Sequence, residues 1–364
     1  MSVRKVYTVI GMMSGTSVDG VDAALIRTDG HFMVERLGSV HIPYSSKLRE
    51  HIKKQFGKTQ TDMDVRIVEE ELTLEHAKAV KLLCDKYSDE RIDLIGFHGQ
   101  TISHDPSARF TKQIGDGALL ARETGIDVID DFRWADVKAG GQGAPLIPVY
   151  HQALAKSADI DLPCAILNIG GVSNVTYIGE SENDILTFDT GPGNALMDDF
   201  ILERMNMPFD DSGRVAAEGT EHKETINAFM SQKFFEEKPP KSLDRNPWVF
   251  DVSLLETADG LATLSAFTRE SIIASVRFMP SKPKCWYICG GGRKNTTLLR
   301  SLRHRLKVPV EPVDTLGWDG DALEAEGFGY LAVRSLLDLP LSLPTTTGVP
   351  KPQTGGVYHK AGDA

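Results

Sequence analysis

The run Val9-Ile10-Gly11-Met12-Met13-Ser14-Gly15-Thr16-Ser17-Val18-Asp19-Gly20-Val21-Asp22-Ala23-Ala24-Leu25-Ile26 reads as a short apolar strand, a tight polar turn and a returning strand. The same element recurs about 160 residues later. There Cys164 to Ile169 is the apolar strand, Gly170-Gly171-Val172-Ser173-Asn174 the small-residue turn, and Val175-Thr176-Tyr177-Ile178 the return. A repeated strand, Gly/Ser turn, strand unit implies a duplicated domain.

Working outward, Phe32 to Ile42 predicts another strand, Ser46 to Gln55 a basic helix, and Asp62 to Tyr87 a long helix with Val65, Val68, Leu72, Ala79 and Leu82 on one stripe. His76, near that stripe, reads as a packed side chain. Ile92 to Phe97 predicts a buried strand that ends before His98-Gly99-Gln100-Thr101, followed by a helix over Asp116 to Glu123 and a strand over Val128 to Phe132. Strands alternating with helices indicate an α/β fold. The Gly-rich stretch Ala139 to Pro145 has no periodicity and predicts a domain junction. Later helices are expected at Asn194 to Met205, Asp259 to Met279, Asn295 to Leu306 and Gly320 to Leu337, with strands at Ile185 to Phe188 and Trp286 to Cys289. The expected division is residues 1–132, residues 133–340, and an extended tail over 341–364.

The chain has 364 residues, enough for about two domains. Hydrophobic residues at 41% and charged residues at 25% exclude a disordered, collagenous or coiled-coil architecture. Acidic residues outnumber basic ones 51 to 40, and a net charge of −11 argues against a nucleic-acid backbone as partner. No apolar run is long enough for a membrane span and no signal-peptide pattern opens the chain, so a cytoplasmic location is expected. Cys84, Cys164, Cys285 and Cys289 then read as thiols, neither disulfides nor a zinc site.

Neither G-x-x-x-x-G-K-[ST] nor a strand-linked G-x-G-x-x-G occurs. Three other turns could present backbone N–H groups to phosphate: Ser14 to Gly20, Asp189-Thr190-Gly191-Pro192-Gly193-Asn194, and Gly290-Gly291-Gly292-Arg293-Lys294-Asn295. The second carries a carboxylate, Asp189, at the end of a predicted strand, where it reads either as a residue facing a ligand crevice or as a helix N-cap.

Gly11 to Asp22, His98 to Thr101, Asp131-Phe132-Arg133, Ala139 to Pro145, Asn168 to Gly171, Phe188 to Asn194, and Gly290-Gly291-Gly292-Arg293 with Asn295 together resemble the anhydro-N-acetylmuramic acid kinase family. The resemblance spans nearly the whole chain. It implies two duplicated actin-like ATPase (ribonuclease H-like) α/β domains with an interdomain active-site cleft. The implied enzyme uses ATP and Mg²⁺ to open 1,6-anhydro-N-acetylmuramic acid with water and to phosphorylate O6, in cell-wall recycling. A conventional sugar or acetate-type kinase of the same superfamily is the alternative. An Hsp70-like binding module is disfavoured, because little chain follows the final helix. The implied partner is the small anhydro amino sugar, with a homodimer left open.

The resemblance also implies roles. Asp189 is the catalytic base that activates water. Thr101, Arg133, Glu324 and Asn194 contact the sugar, with Glu326 as fallback for Glu324 and Arg133 facing the lactyl carboxylate. Gly15, Thr16, Ser17, Val18, Asp19, Gly20, Val21 and Asp22 hold ATP phosphates, with Gly170, Gly171, Gly191 and Gly193. Gly291, Gly292 and Asn295 bind the adenosine, with Arg293 stacked near the base. Asp19, with Asp22, helps place Mg²⁺. No role is assigned to His98 or His104.

Overall fold

A computed structural model describes residues 4–15, 17–243 and 251–362. Its strands are β1 (Tyr7–Ser14), β2 (Gly20–Thr28), β3 (Val34–Pro43), β4 (Leu94–Asp105), β5 (Phe110–Ile114), β6 (Val128–Asp130), β7 (Cys164–Ile169), β8 (Val172–Ile178), β9 (Ile185–Pro192), β10 (Cys285–Cys289), β11 (Val310–Pro312) and β12 (Val357–His359). They form two mixed sheets, ordered β12-β6-β4-β1-β2-β3, with β5 paired to β4, and β11-β10-β7-β8-β9.

The duplication is present in the strand order. β1, β2 and β3 are antiparallel neighbours, β4 lies parallel to β1, and β6 parallel to β4. β7, β8, β9, β10 and β11 repeat every one of these pairings. In each sheet the apolar first strand lies in the interior of the sheet. Val9, Ile10 and Met12 are fully buried in β1, as are Ala165, Leu167 and Ile169 in β7.

The compact units are residues 1–159 with 322–364, and residues 160–321. This differs from the expected division at 132/133 and 340/341. A helix, Trp134–Ala139, leads into the Gly-rich stretch, and another, Pro148–Ser157, whose residues are almost all buried, follows it. The tail is tied into the first unit: β12 pairs antiparallel with β6, Ser342 bridges Gln353, and Thr347 and Val349 are fully buried.

In the first unit, helix Leu323–Leu336 crosses the sheet at backbone contact. A Cβ on Gly11 would lie 1.9 Å from the Ala325 carbonyl oxygen, and one on Gly96 would lie 2.2 Å from that of Phe328. Only glycine allows this approach, which fixes the first helical turn, and with it Glu324, beside β1. In the second unit, Leu298, Leu299, Leu302 and Leu306 of helix Thr296–Leu306 and Ile272 of helix Thr257–Ser275 pack in one core with Trp286 of β10. Among the described residues no helix is long and apolar enough to cross a membrane.

Candidate active site

In the first unit, residues 15–19 link β1 to β2. Val18 has φ +54°, and its N–H donates to the Gly15 carbonyl at 3.0 Å. A β-branched residue is strained in this region, and the fully buried Val18 side chain anchors the turn. Ser17 Oγ donates to Asp19 Oδ1 at 2.8 Å, and both residues are exposed. Thr16 lies outside the described residues. Gly20, Val21 and Asp22 belong to β2; Val21 is buried, and Asp22 Oδ1 lies 2.7 Å from His41 Nδ1.

Arg133 stands immediately before helix Trp134–Ala139. Its Nε–H donates to His98 Nε2 at 2.8 Å and an Nη1–H donates to the Gly143 carbonyl at 2.7 Å. The guanidinium carbon is 5.8 Å from the Phe328 ring centroid. Burial pulls the Arg133 pKa down to about 10, opposed by Glu324 and Asp136. The cation survives at neutral pH but is poorly hydrated, and its Nη1–Nη2 edge has the geometry of a carboxylate clamp.

Glu324 reaches solvent, yet lost hydration raises its pKa; Arg133 lowers it and Asp22 raises it further. Glu326 is 2% exposed and committed: Arg36 Nε donates to its two oxygens at 2.7 and 2.9 Å, and Tyr150 Oη donates at 2.7 Å. Thr101 lies within β4, where its hydroxyl accepts from Gln113 Nε2 at 3.1 Å. The His98-Gly99-Gln100-Thr101 segment is thus part of the strand, which runs past its expected end at Phe97.

In the second unit three glycine turns meet at the end of β7. Gly193 N–H donates to the Gly171 carbonyl at 2.9 Å, and Asn194 N–H to the Gly170 carbonyl at 2.7 Å. A Cβ on Gly193 would be 2.2 Å from the Gly170 oxygen, and one on Gly292 would be 2.4 Å from Ile169 Cγ2. Beside them lies a cavity of about 350 Å³ lined by Asn194, Met197, Phe209, Gly291 and Asn295 among others. Asn295 Oδ1 also caps helix Thr296–Leu306, accepting from Leu298 N at 3.0 Å. Asn194, expected at the sugar, shares this cavity with the expected adenosine turn.

Asp189 sits inside β9, which continues through Gly191 to Pro192. Its helix-cap reading fails, because Asn194 occupies the N-cap position of helix Ala195–Met205. Residues 241–243 flank it: Asp189 N–H donates to the Lys241 carbonyl at 3.0 Å, and Leu243 N–H donates to Asp189 Oδ2 at 2.6 Å. A backbone donor this close favours the ionised carboxylate and fixes its plane.

The sequence model of the anhydro-N-acetylmuramic acid kinase family matches residues 7–361. The chain belongs to the anhydro-N-acetylmuramic acid kinase family. It is 46% identical to the anhydro-N-acetylmuramic acid kinase of Zymomonas mobilis, over 96% of this chain and 99% of that protein. It is 48% identical to the one of Bradyrhizobium diazoefficiens, over 97% of this chain and 99% of that protein. The solved structure of a xylulose kinase from Lactobacillus acidophilus is similar with a TM-score of 0.45 and 10% identity, covering 97% of this chain and 94% of that one. As a member of the anhydro-N-acetylmuramic acid kinase family, the chain is an ATP-dependent phosphotransferase.

Arg293, expected near the base, is 7% exposed and held by carboxylates, with Nη1 and Nη2 donating to Asp321 at 2.8 and 2.7 Å and Nε to Asp314 at 3.1 Å. It is a clamp internal to the second unit. Two supporting roles are not legible in the sequence. His98 orients Arg133, and Lys241 anchors the strip beside Asp189; its Nζ donates to the Phe234 carbonyl at 2.8 Å and stands 4.2 and 4.8 Å from the Phe234 and Phe278 ring centroids. The His-Gly-Gln-Thr motif was the available signal for His98; Lys241 had none.

Proposed function

We propose that this enzyme converts 1,6-anhydro-N-acetylmuramic acid, ATP and water to N-acetylmuramic acid 6-phosphate and ADP, in murein recycling. The observation that carries the reading is near full-length identity of 46–48% to anhydro-N-acetylmuramic acid kinases. Asp189 accepts a proton from water as the water oxygen attacks C1. The C1–O6 bond breaks, and O6 takes the γ-phosphoryl group as ADP departs, so phosphate quenches the leaving charge. The Leu243 N–H bond to Oδ2 supports this role by holding the carboxylate in one orientation.

Arg133 binds the lactyl carboxylate through its Nη1–Nη2 edge, and Glu324 and Thr101 orient the sugar's polar groups. The exposed position of Glu324, against the fully bonded Glu326, supports the choice between them. Residues 15–22 act on the phosphates largely through backbone and the Ser17 hydroxyl, since Val18 and Val21 are buried. Gly170, Gly171, Gly191 and Gly193 keep the second unit's turns close-packed toward the nucleotide, and Gly291, Gly292, Asn295 and Asn194 bind adenosine; the shared cavity supports assigning Asn194 here and not to the sugar.

Mg²⁺ neutralises phosphate charge in such reactions. Among the described residues no cluster of three His, Cys, Asp or Glu side chains could hold a metal, and Asp19 is exposed beside Ser17. That donor set fits an ion held mainly by phosphate and water, with Asp19 contributing one carboxylate and Asp22 near it in sequence.

The test is turnover in ¹⁸O-labelled water. Label at C1 with none in the phosphate ester is expected; an unlabelled anomeric carbon overturns the hydrolytic step. Asp189→Asn should bind ATP normally and lose on the order of 10²- to 10⁴-fold in kcat. Near-normal turnover would remove Asp189 from the base role.

A further inference from the structure

Asp136 joins two stretches that the sequence presents as unrelated, the Gly-rich run after it and the C-terminal tail. It is 2% exposed. Its Oδ1 accepts the Gly143 N–H at 2.6 Å, and its Oδ2 accepts the hydroxyls of Ser342 and of Thr347, the latter at 2.5 Å. The tail also closes on the loop directly, with Gln142 N–H donating to the Thr347 carbonyl at 2.7 Å. Gly143 has φ +68°, and a Cβ there would fall 2.4 Å from Val137 Cγ2, so this backbone position belongs to glycine. The Gly143 carbonyl is the acceptor for Arg133 Nη1 at 2.7 Å.

We infer that Asp136 is a positioning residue for sugar recognition, and that residues 342–347 brace it so that Gly143 presents the Arg133 guanidinium in one orientation. A buried carboxylate is tolerated only when its oxygens are bonded. Here the bonds come from both sides of the guanidinium's support, the loop and the tail. Without the tail hydroxyls, Oδ2 loses two donors, Asp136 rotates toward water, and the Gly143 amide loses its acceptor. The planar fork of Arg133 is useful only while its plane is set, so the loss reaches an anionic ligand without touching it. The inference rests on the assignment of Arg133 to the lactyl carboxylate.

The test compares Thr347→Val, Ser342→Ala/Thr347→Val, Asp136→Asn and Arg133→Ala in the full chain. Kinetics are read for 1,6-anhydro-N-acetylmuramic acid, its lactyl-free counterpart and ATP, with thermal melting alongside. In the folded brace variants the KM for the lactyl-bearing sugar should rise about tenfold, with the KM for ATP unchanged and the preference over the lactyl-free sugar falling by a similar factor. Should Asp136→Asn fail to fold, Thr347→Val, which removes one hydroxyl, still reads the effect. Brace variants that keep the lactyl preference while Arg133→Ala loses it overturn the inference alone. If Arg133→Ala itself keeps the preference, the lactyl-clamp assignment falls and this inference with it.

Discussion

Arg133 Nε–H donates to His98 Nε2 at 2.8 Å, and this bond dictates the state of the histidine. Nε2 must be the acceptor, so the proton sits on Nδ1, which lies 2.9 Å from the Gly99 carbonyl. Burial first, and the Arg133 charge second, hold the His98 pKa well below 6.5, so the acceptor persists across physiological pH. Arg133→Lys keeps the charge but cannot donate to His98 and Gly143 while offering a planar edge to ligand. The expected result is a 10- to 100-fold loss, as an order-of-magnitude figure, in kcat/KM for the anhydro sugar, with KM for ATP unchanged. Steady-state kinetics with each substrate varied in turn checks it.

Acid should destabilise this protein through its buried neutral histidines. His76 is fully buried; its Nδ1 is 2.8 Å from the Leu72 carbonyl and its Nε2 has no partner. Burial lowers its pKa to about 4. The unfolded chain takes up this proton near pH 6.5 and the native state only near 4, so stability is complete above 6.5 and is lost as pH falls from there toward 4. At pH 5 the loss from this residue is about 2 kcal/mol. His76→Leu should therefore show a smaller fall in urea-unfolding free energy between pH 7 and pH 5 than the wild type, and an equal fall would refute the account.

The parts of this fold that the sequence displayed were those carried by local pattern. Cys164–Ile169 is the strand expected, because apolar continuity and the Gly170-Gly171 break both lie within one element. β5 was invisible, since Phe-Thr-Lys-Gln-Ile has only two apolar residues and pairs with β4 alone. Sequence pattern alone ends β9 at Phe188, because Gly191 and Pro192 look like a turn; at the edge of a sheet they are tolerated in a strand, which runs to Pro192. Asp189 and Arg133 were visible through motif. Their supports were not: Leu243 is 54 residues from Asp189, and Thr347 is 211 from Asp136, separations at which no periodicity carries information.

Lys241 ties the rate to alkaline pH. Burial, reinforced by Arg277 and opposed by Glu237 and Asp189, lowers its pKa to about 8. Above that, Nζ gives up its charge, weakening its bond to the Phe234 carbonyl and its contacts with the Phe234 and Phe278 rings, and residues 241–243 hold Asp189 less firmly. The kcat profile should fall with an alkaline limb near pH 8, and Lys241→Arg should move that limb upward. The stability sign is opposite: with the folded pKa below the unfolded one, this residue's contribution to stability rises from pH 8 to 10.5. A limb accompanied by unfolding, or one unmoved in Lys241→Arg, would exclude the mechanism.

Gly11 and Gly329 set the seat of the helix that carries Glu324, and they should respond unequally to an added methyl. On Gly11 a Cβ would stand 1.9 Å from the Ala325 oxygen and 2.3 Å from Gly329 N, both backbone atoms that no rotamer can move. On Gly329 the nearest atom is Gly11 N at 3.0 Å, a contact that a shift of a few tenths of an ångström relieves. Gly11→Ala must displace the whole helix from β1, with an expected loss of about 3 kcal/mol or more, whereas Gly329→Ala should cost about 1 kcal/mol. Urea denaturation ranks the two. Because Glu324 lies in the helix's first turn, Gly329→Ala should also raise the KM for the anhydro sugar while leaving that for ATP unchanged, the signature of a shifted sugar contact in a folded enzyme.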